Sequence, residues 1–342
     1  MTRIETSAPG KLVLLGEYAV LEGAPALVLA VDRRARITLT PVAGNAWQIV
    51  SPTLDLEASL HLRDTGIAWT DTPPPQLDWL ATLFAQIPFA RALPPCRIEL
   101  DSDCFHIVHA NERVKLGLGS SAALTVALLG ALHALAGQPA PTLAECVGIH
   151  RAIQHGRGSG IDIAASLHGG LACFRLDADR APRRDALAWP AGLHWCCVFS
   201  GKPASTEAML ATVAAWRERE PTDYTRRMNE LATISSRGVD AVALHDAAAL
   251  LSDLHDYAIA LARLGEASGA DIVSRAHREL GTIATQYGCV YKSCGAGGGD
   301  AGITFAVEDR RLREFAARAA QAGFPVIGLG TDPRGLHVDV ND

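Results

Sequence analysis

Runs of apolar residues and one stretch of alternating residues predict several strands near the start of the chain. Residues 12–15 and 26–31 are almost entirely apolar, and residues 34–40 alternate as a half-buried strand does. These patterns together predict a meander of strands. Residues 47–95 show no comparable regularity beyond a short helical pattern at 76–86, and we assign no chemistry to that region.

Helical patterns dominate the middle of the chain. Residues 122–136 are almost all uncharged residues with good helix propensity, which predicts a buried helix. Thr142 followed by Glu145 has the spacing of a capping box and predicts a second helix that extends to about residue 154. Residues 163–167 predict a short buried helical turn.

The second half of the chain predicts helices packed on a small antiparallel sheet. Its long helical patterns begin at Ser205 and continue to residue 287, with breaks expected at Gly265 and Gly269. The other expected elements are strands at 171–175 and 193–199 with a charged loop at 177–185 between them, a strand at 303–307, a helix at 310–322 and a strand at 336–340.

The length of 342 residues favours two domains, since single cores rarely grow beyond about 250–300 residues. We place the boundary near Pro190, which gives an N-terminal domain at 1–190 and a C-terminal domain at 191–342. The first seven residues are polar, so no signal peptide is expected, and residues 122–136 are too few to span a bilayer. These features favour a cytoplasmic protein with no membrane partner.

Charge and cysteine content narrow the classes further. The net charge is −6, and no basic run is interleaved with aromatic residues, so nucleic acid is not an expected partner. The eight cysteines form no C-x-x-C pair and no zinc spacing with histidine. Reduced thiols are therefore expected rather than disulfides or a zinc site.

The segment KLGLGSSAALT, from Lys115 to Thr125, combines a glycine turn with the start of the predicted buried helix. Gly117 and Gly119 allow close approach of the backbone to a ligand, and the helix directs free N–H groups and its positive dipole end at the turn. This arrangement favours an anion site. The alternative is an ordinary glycine turn followed by a serine N-cap.

Two better-known phosphate motifs do not fit this segment. The chain has no Walker string of Gly, four residues and Gly-Lys-Ser/Thr. Gly117, Gly119 and Ala122 match G-x-G-x-x-A, but the acidic residue expected about twenty positions later in a dinucleotide site is missing. The upstream region also lacks the alternating helices of a Rossmann fold.

Two further glycine-rich segments carry candidate chemistry. Residues 155–170 surround Ser159 and Asp162 with five glycines. An Asp at this point is often only a helix cap, but a glycine-rich turn with one carboxylate also suits a phosphoryl transferase or a hydrolase. Residues 292–304, KSCGAGGGDAGIT, are either a flexible linker or a rigid loop against a ligand. The apolar strand that follows directly favours the rigid loop.

Lysine is scarce in this chain, and its positions are informative. Of the 31 lysines and arginines, only Lys11, Lys115, Lys202 and Lys292 are lysines. All four lie in or beside glycine- and serine-rich stretches, which suggests sites that need a compact ammonium group. Lys11 enters an apolar strand and must pair with an acid or meet an anionic ligand, because burial of an unpaired ammonium is costly.

With the three glycine loops in place, the chain resembles the GHMP kinase superfamily of galactokinase, homoserine kinase, mevalonate kinase and phosphomevalonate kinase. PGKLVLLGEYAVLEG is similar to the first motif of the superfamily, KLGLGSSAALT to its ATP loop and CGAGGGDAG to its third motif. The three occur in the expected order and spacing. The resemblance implies an α+β, two-domain fold, with an N-terminal domain like ribosomal protein S5 domain 2 and a ferredoxin-like C-terminal α/β sandwich.

Within the superfamily the chain is most similar to the phosphomevalonate kinase group. GEYAV with Tyr18, GSGIDIAAS at 158–166, SGKPAST at 200–206 and Asp300 after GAGGG all resemble that group. Mevalonate kinases place a magnesium-binding Glu eleven residues before the catalytic Asp, and this chain has Arg151 there. The resemblance implies transfer of the ATP γ-phosphoryl group to (R)-5-phosphomevalonate, with mevalonate kinase or a non-catalytic ligand sensor as alternatives.

The resemblance also implies roles for individual residues. Lys11 and Asp162 are the implied catalytic residues, Ser121 the implied ligand of Mg²⁺, and ATP and Mg²⁺ the implied cofactors. The implied partner is a small-molecule substrate, bound by a monomer or homodimer. The implied ATP loop is Lys115, Gly117, Leu118, Gly119, Ser120, Ser121 and Ala122, and the implied substrate contacts are Lys11, Tyr18, Ser159, Asp162, Lys202, Ser293, Gly295, Ala296 and Gly297.

Overall fold

Two long antiparallel strands form the centre of the large sheet in the computed structural model, which describes residues 3–63, 66–72 and 74–341. Strand β1 (Arg3–Leu15) pairs with β2 (Ala26–Pro41), and their register places Lys11 opposite Ala30. The apolar run 26–31 and the alternating run 34–40 are thus parts of one strand rather than two. The first part is buried on both faces and the second on one face, which explains the change of pattern.

The large sheet has nine strands among the described residues, in the order β10-β9-β2-β6-β3-β4-β5, with β1 paired to β2 and β15 paired to β1. A separate hairpin joins β7 to β8. The other strands of these two sheets are β3 (Trp47–Ser51), β4 (Leu56–Arg63), β5 (Gly66–Trp69), β6 (Cys96–Asp101), β7 (His106–His109), β8 (Glu112–Lys115), β9 (Leu171–Leu176), β10 (Pro182–Leu187) and β15 (His337–Asn341).

A smaller antiparallel sheet in the order β12-β13-β11-β14 supports the second half of the chain. Its strands are β11 (His194–Phe199), β12 (Val290–Ser293), β13 (Ala301–Ala306) and β14 (Val326–Ile327). Helices α8 (Arg275–Gln286) and α9 (Asp309–Gln321) pack on one face of this sheet through a cluster that includes Leu280 and Phe315. Helices on an antiparallel sheet are the arrangement expected from the sequence, and the α+β class is confirmed.

Nine α-helices lie in the described ranges, with short 3-10 turns between them. The α-helices are α1 (Asp78–Ala85), α2 (Ser120–Leu135), α3 (Leu143–Ile153), α4 (Ile161–His168), α5 (Thr206–Arg219), α6 (Pro221–Ala243), α7 (Ala247–Ser268), α8 (Arg275–Gln286) and α9 (Asp309–Gln321). The 3-10 turns are Ala19–Glu22, Pro52–Leu54, Pro75–Leu77, Ala90–Ala92 and Asp103–Phe105. None of these helices is long and apolar enough to cross a membrane.

Local signals in the sequence match several of the helix ends. The capping box of Thr142 and Glu145 is present at α3, and the Ser205 side chain caps α5. The break predicted at Gly265 is wrong, because α7 continues through it to Gly269, where the backbone turns left-handed. The helix needs glycine at position 265, because a Cβ there would lie 2.9 Å from the carbonyl oxygen of Ala270. The charged loop predicted at 177–185 contains the start of β10, so that prediction is wrong in part.

The last strand of the chain lies in the large sheet and not in the small one. Strand β15 pairs with β1, with Val340 opposite Ile4. The strand at 336–340 was expected to join the sheet of the second half, so its existence is confirmed and its place is corrected. Hydropathy marks a strand but does not identify its partner when the partner is more than 300 residues away.

Arg34 ties the segment before β15 to the large sheet. Its guanidinium donates to Asp332 Oδ2 (2.5 Å), to the carbonyls of Arg334 (3.0 Å) and Gly335 (2.6 Å) and to both the hydroxyl and the carbonyl of Ser7. The carboxylate of Asp332 is buried. This network holds the returning chain against β1 and β2.

Removal of the Arg34 guanidinium should destabilise the protein strongly. Arg34→Met leaves the buried Asp332 carboxylate unpaired, and we expect a loss of about 3–5 kcal/mol in the free energy of unfolding, measured by urea denaturation. Arg36→Met, on the exposed side of the same strand, is the control and should change stability by less than about 0.5 kcal/mol. A loss below about 1 kcal/mol for Arg34→Met would mean that strand pairing alone holds the C-terminal segment.

Candidate active site

The first glycine loop follows a tight hairpin that delivers Lys115. Ala110 and Asn111 both have positive φ at the turn between β7 and β8, as a two-residue hairpin loop requires. Gly117 (φ 72°) and Gly119 (φ 81°) then turn the chain toward α2. The carbonyl of the buried Leu118 accepts a hydrogen bond from the backbone N–H of Lys11 (2.8 Å), which fixes the loop against β1.

The N-terminus of α2 has no side-chain cap. Its N-cap is Gly119 and not a serine, so the alternative of a serine N-cap is wrong. Ser120 is buried, whereas Ser121 is exposed at the mouth of the loop. Because the first N–H groups of a helix lack intrahelical partners, the amides at 120–122 are free to bind an anion. Such a cradle suits a phosphate group.

Lys11 stands between the glycine loop and Asp162. Its Nζ is 3.8 Å from Asp162 Oδ1 and 3.4 Å from the carbonyl oxygen of Gly117. Burial alone would lower the pKa of this ammonium, but the nearby carboxylates, Asp162 first among them, raise the pKa above its ordinary value. Lys11 therefore carries a positive charge at neutral pH and is available to an anionic ligand.

Asp162 is held in the first turn of α4 by a rigid glycine-rich loop. Gly160 has a φ of 91°, and a Cβ there would lie 2.7 Å from the Val147 side chain. The Ser159 hydroxyl accepts a hydrogen bond from the Ile161 N–H (3.2 Å). These contacts place the Asp162 carboxylate at the edge of a cavity rather than in a capping position.

Arg151 shapes the same loop from outside. Its guanidinium donates to the carbonyls of Gly158 (3.3 Å), Ser159 (2.9 Å) and Arg180 (3.3 Å). The side chain that replaces the acidic residue of mevalonate kinases is therefore used for backbone positioning. Position 151 therefore offers no anionic side chain to a metal cation.

A cavity of 150 Å³ lies between the two halves of the chain, next to Lys11. Six of the residues proposed from the sequence lie in its wall, namely Lys11, Tyr18, Ser159, Asp162, Gly295 and Ala296. A wider cleft of 630 Å³ adjoins it and shares Tyr18 and Leu21 with it. At the rim of that cleft, Arg157 of one half pairs with Glu207 of the other at 2.5 Å.

Tyr18 connects the two walls of the cavity. Its hydroxyl donates to the carbonyl of Ala296 (2.6 Å), 278 residues away in sequence. The residue has a φ of 63°, an unusual conformation for a tyrosine. Burial, together with the neighbouring Glu17 carboxylate, raises the pKa of the phenol, so the hydroxyl remains a donor. Tyr18 thus joins the turn after β1 to the third glycine loop.

The third glycine loop is rigid because its glycines meet other backbone. A Cβ at Gly297 would lie 2.2 Å from the carbonyl oxygen of Ile272, and one at Gly299 2.6 Å from that of Lys202. Gly297 therefore packs against the backbone at Ile272 and is not in the cavity wall. Nothing lies within 4 Å of a Cβ at Gly295, which faces the cavity.

His277 supports this loop from behind. Its Nε2 lies 3.0 Å from the carbonyl oxygen of Gly299, so that nitrogen must carry the hydrogen. Burial lowers the pKa of His277 to about 4, and the neutral ring therefore accepts at Nδ1 from the Tyr291 hydroxyl (2.7 Å).

Asp300 brings the end of the third motif to the first glycine loop. Its side chain lies against Gly117, where a Cβ would be 2.5 Å away. Its Oδ1 accepts from the Ala204 N–H (3.2 Å), and its own N–H donates to the carbonyl of Lys202 (2.8 Å). Burial raises the pKa of Asp300, although the ammonium groups of Lys11 and Lys115 oppose the shift. The Lys202 ammonium is exposed outside the cavity wall.

A buried ion pair beneath the cavity involves Lys292, whose role the sequence did not predict. Its Nζ donates to Glu17 Oε1, to the carbonyl of Val13 (3.3 Å) and to that of Ser293 (2.8 Å). The Ser293 hydroxyl is itself buried without a hydrogen-bond partner among the described residues. Lys292 therefore anchors the third motif, whereas Lys11 and Lys115 face ligand space.

His150 is a cavity residue whose place the sequence did not predict. It lies on the buried face of α3, one turn after Val147. A polar residue on the apolar face of a predicted helix is the signal that would have identified it.

No group of three or more His, Cys, Asp or Glu side chains able to hold a metal is found in the part of the chain that the structure describes. Mg²⁺ needs no such group when substrate phosphates supply most of its ligands, since one or two protein oxygens are then enough. The exposed Ser121 hydroxyl fits that requirement.

Comparison with known proteins accounts for this arrangement. Residues 81–170, which include the first glycine loop and Asp162, match the family model described as GHMP kinases N terminal domain. The chain contains a GHMP kinase N-terminal domain. The first glycine loop and the Asp162 turn therefore lie within one segment that matches this family model.

Relatives of this chain carry two names. The phosphomevalonate kinase of Streptomyces sp. (strain CL190) is 28% identical over 339 residues, which cover 86% of this chain and 88% of the relative. A mevalonate kinase of Methanothermobacter thermautotrophicus is 34% identical over 181 residues, 52% of each chain. These relatives support a GHMP kinase of the mevalonate pathway and do not decide between the two substrates.

The whole chain has the two-domain GHMP kinase fold. A crystal structure of Streptococcus pneumoniae phosphomevalonate kinase in complex with phosphomevalonate and AMPPNP superimposes with a TM-score of 0.78. It covers 96% of this chain and 99% of that chain at 19% sequence identity. The fold expected from the motifs is thus confirmed.

Loss of the buried ammonium group should destabilise the GHMP kinase fold. Lys292→Met leaves Glu17 buried without its partner, and we expect a loss of about 3–5 kcal/mol in the free energy of unfolding, measured by urea denaturation. Lys202→Met removes an exposed ammonium and should cost less than about 0.5 kcal/mol. Addition of Glu17→Gln to Lys292→Met should recover part of the loss, and a double variant less stable than Lys292→Met would contradict the pairing.

Proposed function

We propose that the chain is an ATP-dependent kinase that converts (R)-5-phosphomevalonate to (R)-5-diphosphomevalonate. The observation that carries this proposal is the position of Lys11, whose ammonium lies between the open N-terminus of α2 and the 150 Å³ cavity. Transfer between two phosphates brings two anions together. A positive charge at their junction is the main requirement of such a reaction.

The nucleotide end of the proposed site is the first glycine loop. The amides that follow Gly117, Leu118 and Gly119, from Ser120 to Ala122, would bind the ATP phosphates. Burial lowers the pKa of the Lys115 ammonium, and the Asp300 carboxylate opposes this shift. A bound ATP phosphate would give this ammonium an anionic partner. Ser121 would hold Mg²⁺ through its hydroxyl, and the cation would neutralise charge on the β- and γ-phosphates.

The acceptor end is the cavity beside Lys11, which opens to the wider cleft. Tyr18, Ser159, Gly295 and Ala296 line it, and its volume suits a small phosphorylated acid rather than a polymer. Ser293 and Gly297 lie behind this wall and would keep the loop in place. Lys202 is exposed outside the cavity wall, and its positive charge would attract the anionic acceptor toward the site.

Asp162 would act without accepting a proton from the acceptor. An acceptor phosphate oxygen is already ionised at neutral pH, so no strong general base is needed. The carboxylate lies 3.8 Å from Lys11, which suits a role in orienting that ammonium. Binding of the 3-hydroxyl group of the acceptor, or positioning of the metal, are further roles that its place at the cavity edge allows.

Mevalonate kinase activity is the second candidate, favoured by the relative that is 34% identical. In that reaction Asp162 would serve as general base toward a primary alcohol. The use of Arg151 as a backbone clamp argues against it, since the acidic ligand of that group is absent. A ligand sensor without catalysis is disfavoured by the presence of Lys11, Ser121 and Asp162 together.

The remaining sequence-based expectations belong to the same proposal. The ATP-binding domain would be 1–190 and the second domain 191–342, apart from β15, which lies in the large sheet. We expect a monomer or homodimer that acts in the cytoplasm on small molecules.

The decisive experiment compares two acceptors. Magnesium-dependent release of ADP should be measured with (R)-5-phosphomevalonate and with (R)-mevalonate at matched concentrations. We expect phosphomevalonate to be preferred by at least about 10–100-fold in kcat/KM, because one charge-assisted hydrogen bond to its phosphate contributes about 1.5–3 kcal/mol. A preference for mevalonate would establish the second candidate, and no ADP release with either acceptor would favour the sensor.

Substitution of Gly119 should impair the nucleotide end. A Cβ at Gly119 would lie 3.1 Å from Lys11 Cγ and 3.2 Å from Lys11 Cε, at a φ of 81°. Backbone strain of about 1–3 kcal/mol and displacement of Lys11 should together lower kcat/KM for ATP by at least about tenfold in Gly119→Ala.

Gly137→Ala is the matched control for backbone strain. Gly137 follows the other end of α2 and also has positive φ, with nothing within 4 Å of its Cβ position. This variant should lose some stability but keep the wild-type kinetics. Wild-type kinetics in Gly119→Ala would remove the glycine loop from the proposed site.

A further inference from the structure

One buried histidine in the acceptor cavity has no role in the reaction as described so far. His150 is 4% exposed and lies in the cavity wall together with Lys11 and Asp162. Its position on α3 is fixed by the capping box of that helix and by the burial of Val147 and Cys146 on the same face. The ring is therefore held in place by the helix that also supplies Arg151.

The His150 ring differs from the other buried histidines in its hydrogen bonds. Both ring nitrogens of His277 have partners, and those of His133 lie 2.6 Å from the Pro139 carbonyl and 3.1 Å from Glu145 Oε1. His150 Nε2, in contrast, is buried with no hydrogen-bond partner among the described residues. Buried polar atoms are nearly always paired, so an unpaired one in a cavity wall indicates a group supplied by a ligand.

The charge of the ring limits the kind of group it can bind. Burial lowers the pKa of His150, and the nearby Asp162 carboxylate opposes this shift only in part. A neutral imidazole beside a carboxylate is a poor partner for a phosphate or carboxylate group, which Lys11 serves better. A hydroxyl group both donates and accepts, so it satisfies Nε2 in either tautomer.

We propose that His150 binds a hydroxyl group of the phosphoryl acceptor through Nε2 and so determines specificity for a hydroxylated acceptor. The proposal rests on the kinase function proposed above and adds to it a group that discriminates among acceptors. For phosphomevalonate, and equally for mevalonate, the hydroxyl concerned is the one on carbon 3. His150 is thereby an acceptor-binding residue, and its loss should not change the binding of ATP.

The test is a cycle that changes the enzyme and the substrate together. Wild-type protein, His150→Phe and His150→Gln are assayed with the acceptor that the wild type phosphorylates and with its 3-deoxy analogue. Wild-type kcat/KM should fall by about 10–100-fold on loss of the hydroxyl. His150→Phe should show a similar fall with the normal acceptor but little discrimination between the two. His150→Gln, which keeps a donor and an acceptor, should recover part of the discrimination.

Two controls separate acceptor binding from a structural effect. The KM for ATP should stay within about twofold in His150→Phe, because one hydrogen bond to the acceptor does not contribute to nucleotide binding. His133→Phe removes a buried histidine that lies outside the cavity wall and should keep the full preference for the hydroxylated acceptor.

The possible outcomes distinguish this inference from the proposed function. Discrimination at the wild-type level in His150→Phe overturns the inference and leaves the kinase function intact. A wild type that phosphorylates neither acceptor overturns both. If His150→Phe does not fold, the inference is tested on the wild type through the ¹⁵N imidazole signal of His150. That signal is assigned by its absence in His150→Gln. It should shift with the acceptor and not with the 3-deoxy analogue, and equal shifts overturn the inference.

Discussion

The ion pair of Lys292 and Glu17 is the constraint on which the geometry of this protein depends. Both side chains are almost fully removed from solvent, at 0% and 2% exposure. Two charges in such a place are tolerated only when each compensates the other, because removal of a charge from water is costly. Here the Tyr257 hydroxyl donates to the Glu17 carbonyl (2.7 Å), and Cys294 Sγ lies 3.0 Å from the carbonyl oxygen of Val13. Glu17 Oε2 has no hydrogen-bond partner among the described residues, so the two halves are held here by the Lys292–Glu17 contact and these backbone hydrogen bonds.

The same condition determines the size of the acceptor cavity. Strand β1 and the turn after it form one wall, the loop after β12 forms the opposite one, and the segment from His150 to Asp162 completes the lining. Lys292 joins the backbone of both walls at their base, and Tyr18 joins them nearer the opening. The glycines at 297–299 let the second wall lie directly on neighbouring backbone. The cavity is therefore preorganised on rigid strands and close-packed loops, which suits positioning of an acceptor.

The features that the sequence predicted well are those that depend on local chemistry. The capping box of Thr142, the cap at Ser205 and the glycine turns at 117 and 119 each follow from a few adjacent residues. The roles of the lysines could not be separated in this way, since Lys11 and Lys292 both enter apolar strands and differ only in the residues that meet them across the fold. For the same reason the backbone clamp of Arg151 and the unpaired His150 became evident only when distant segments were brought together.

The pairing of β1 with β15 has a consequence for the order of folding. Strand β1 carries Lys11, yet five of its residues find their partners only in β15, from Arg3 with Asn341 to Ser7 with His337. Contacts of such sequence separation form slowly, because the loop they close is almost the entire protein. During synthesis one edge of the strand that carries Lys11 remains unpaired until residues 337–341 have left the ribosome. An exposed edge of this kind pairs readily with other strands, so the nascent chain passes through a stage in which protection from aggregation matters most.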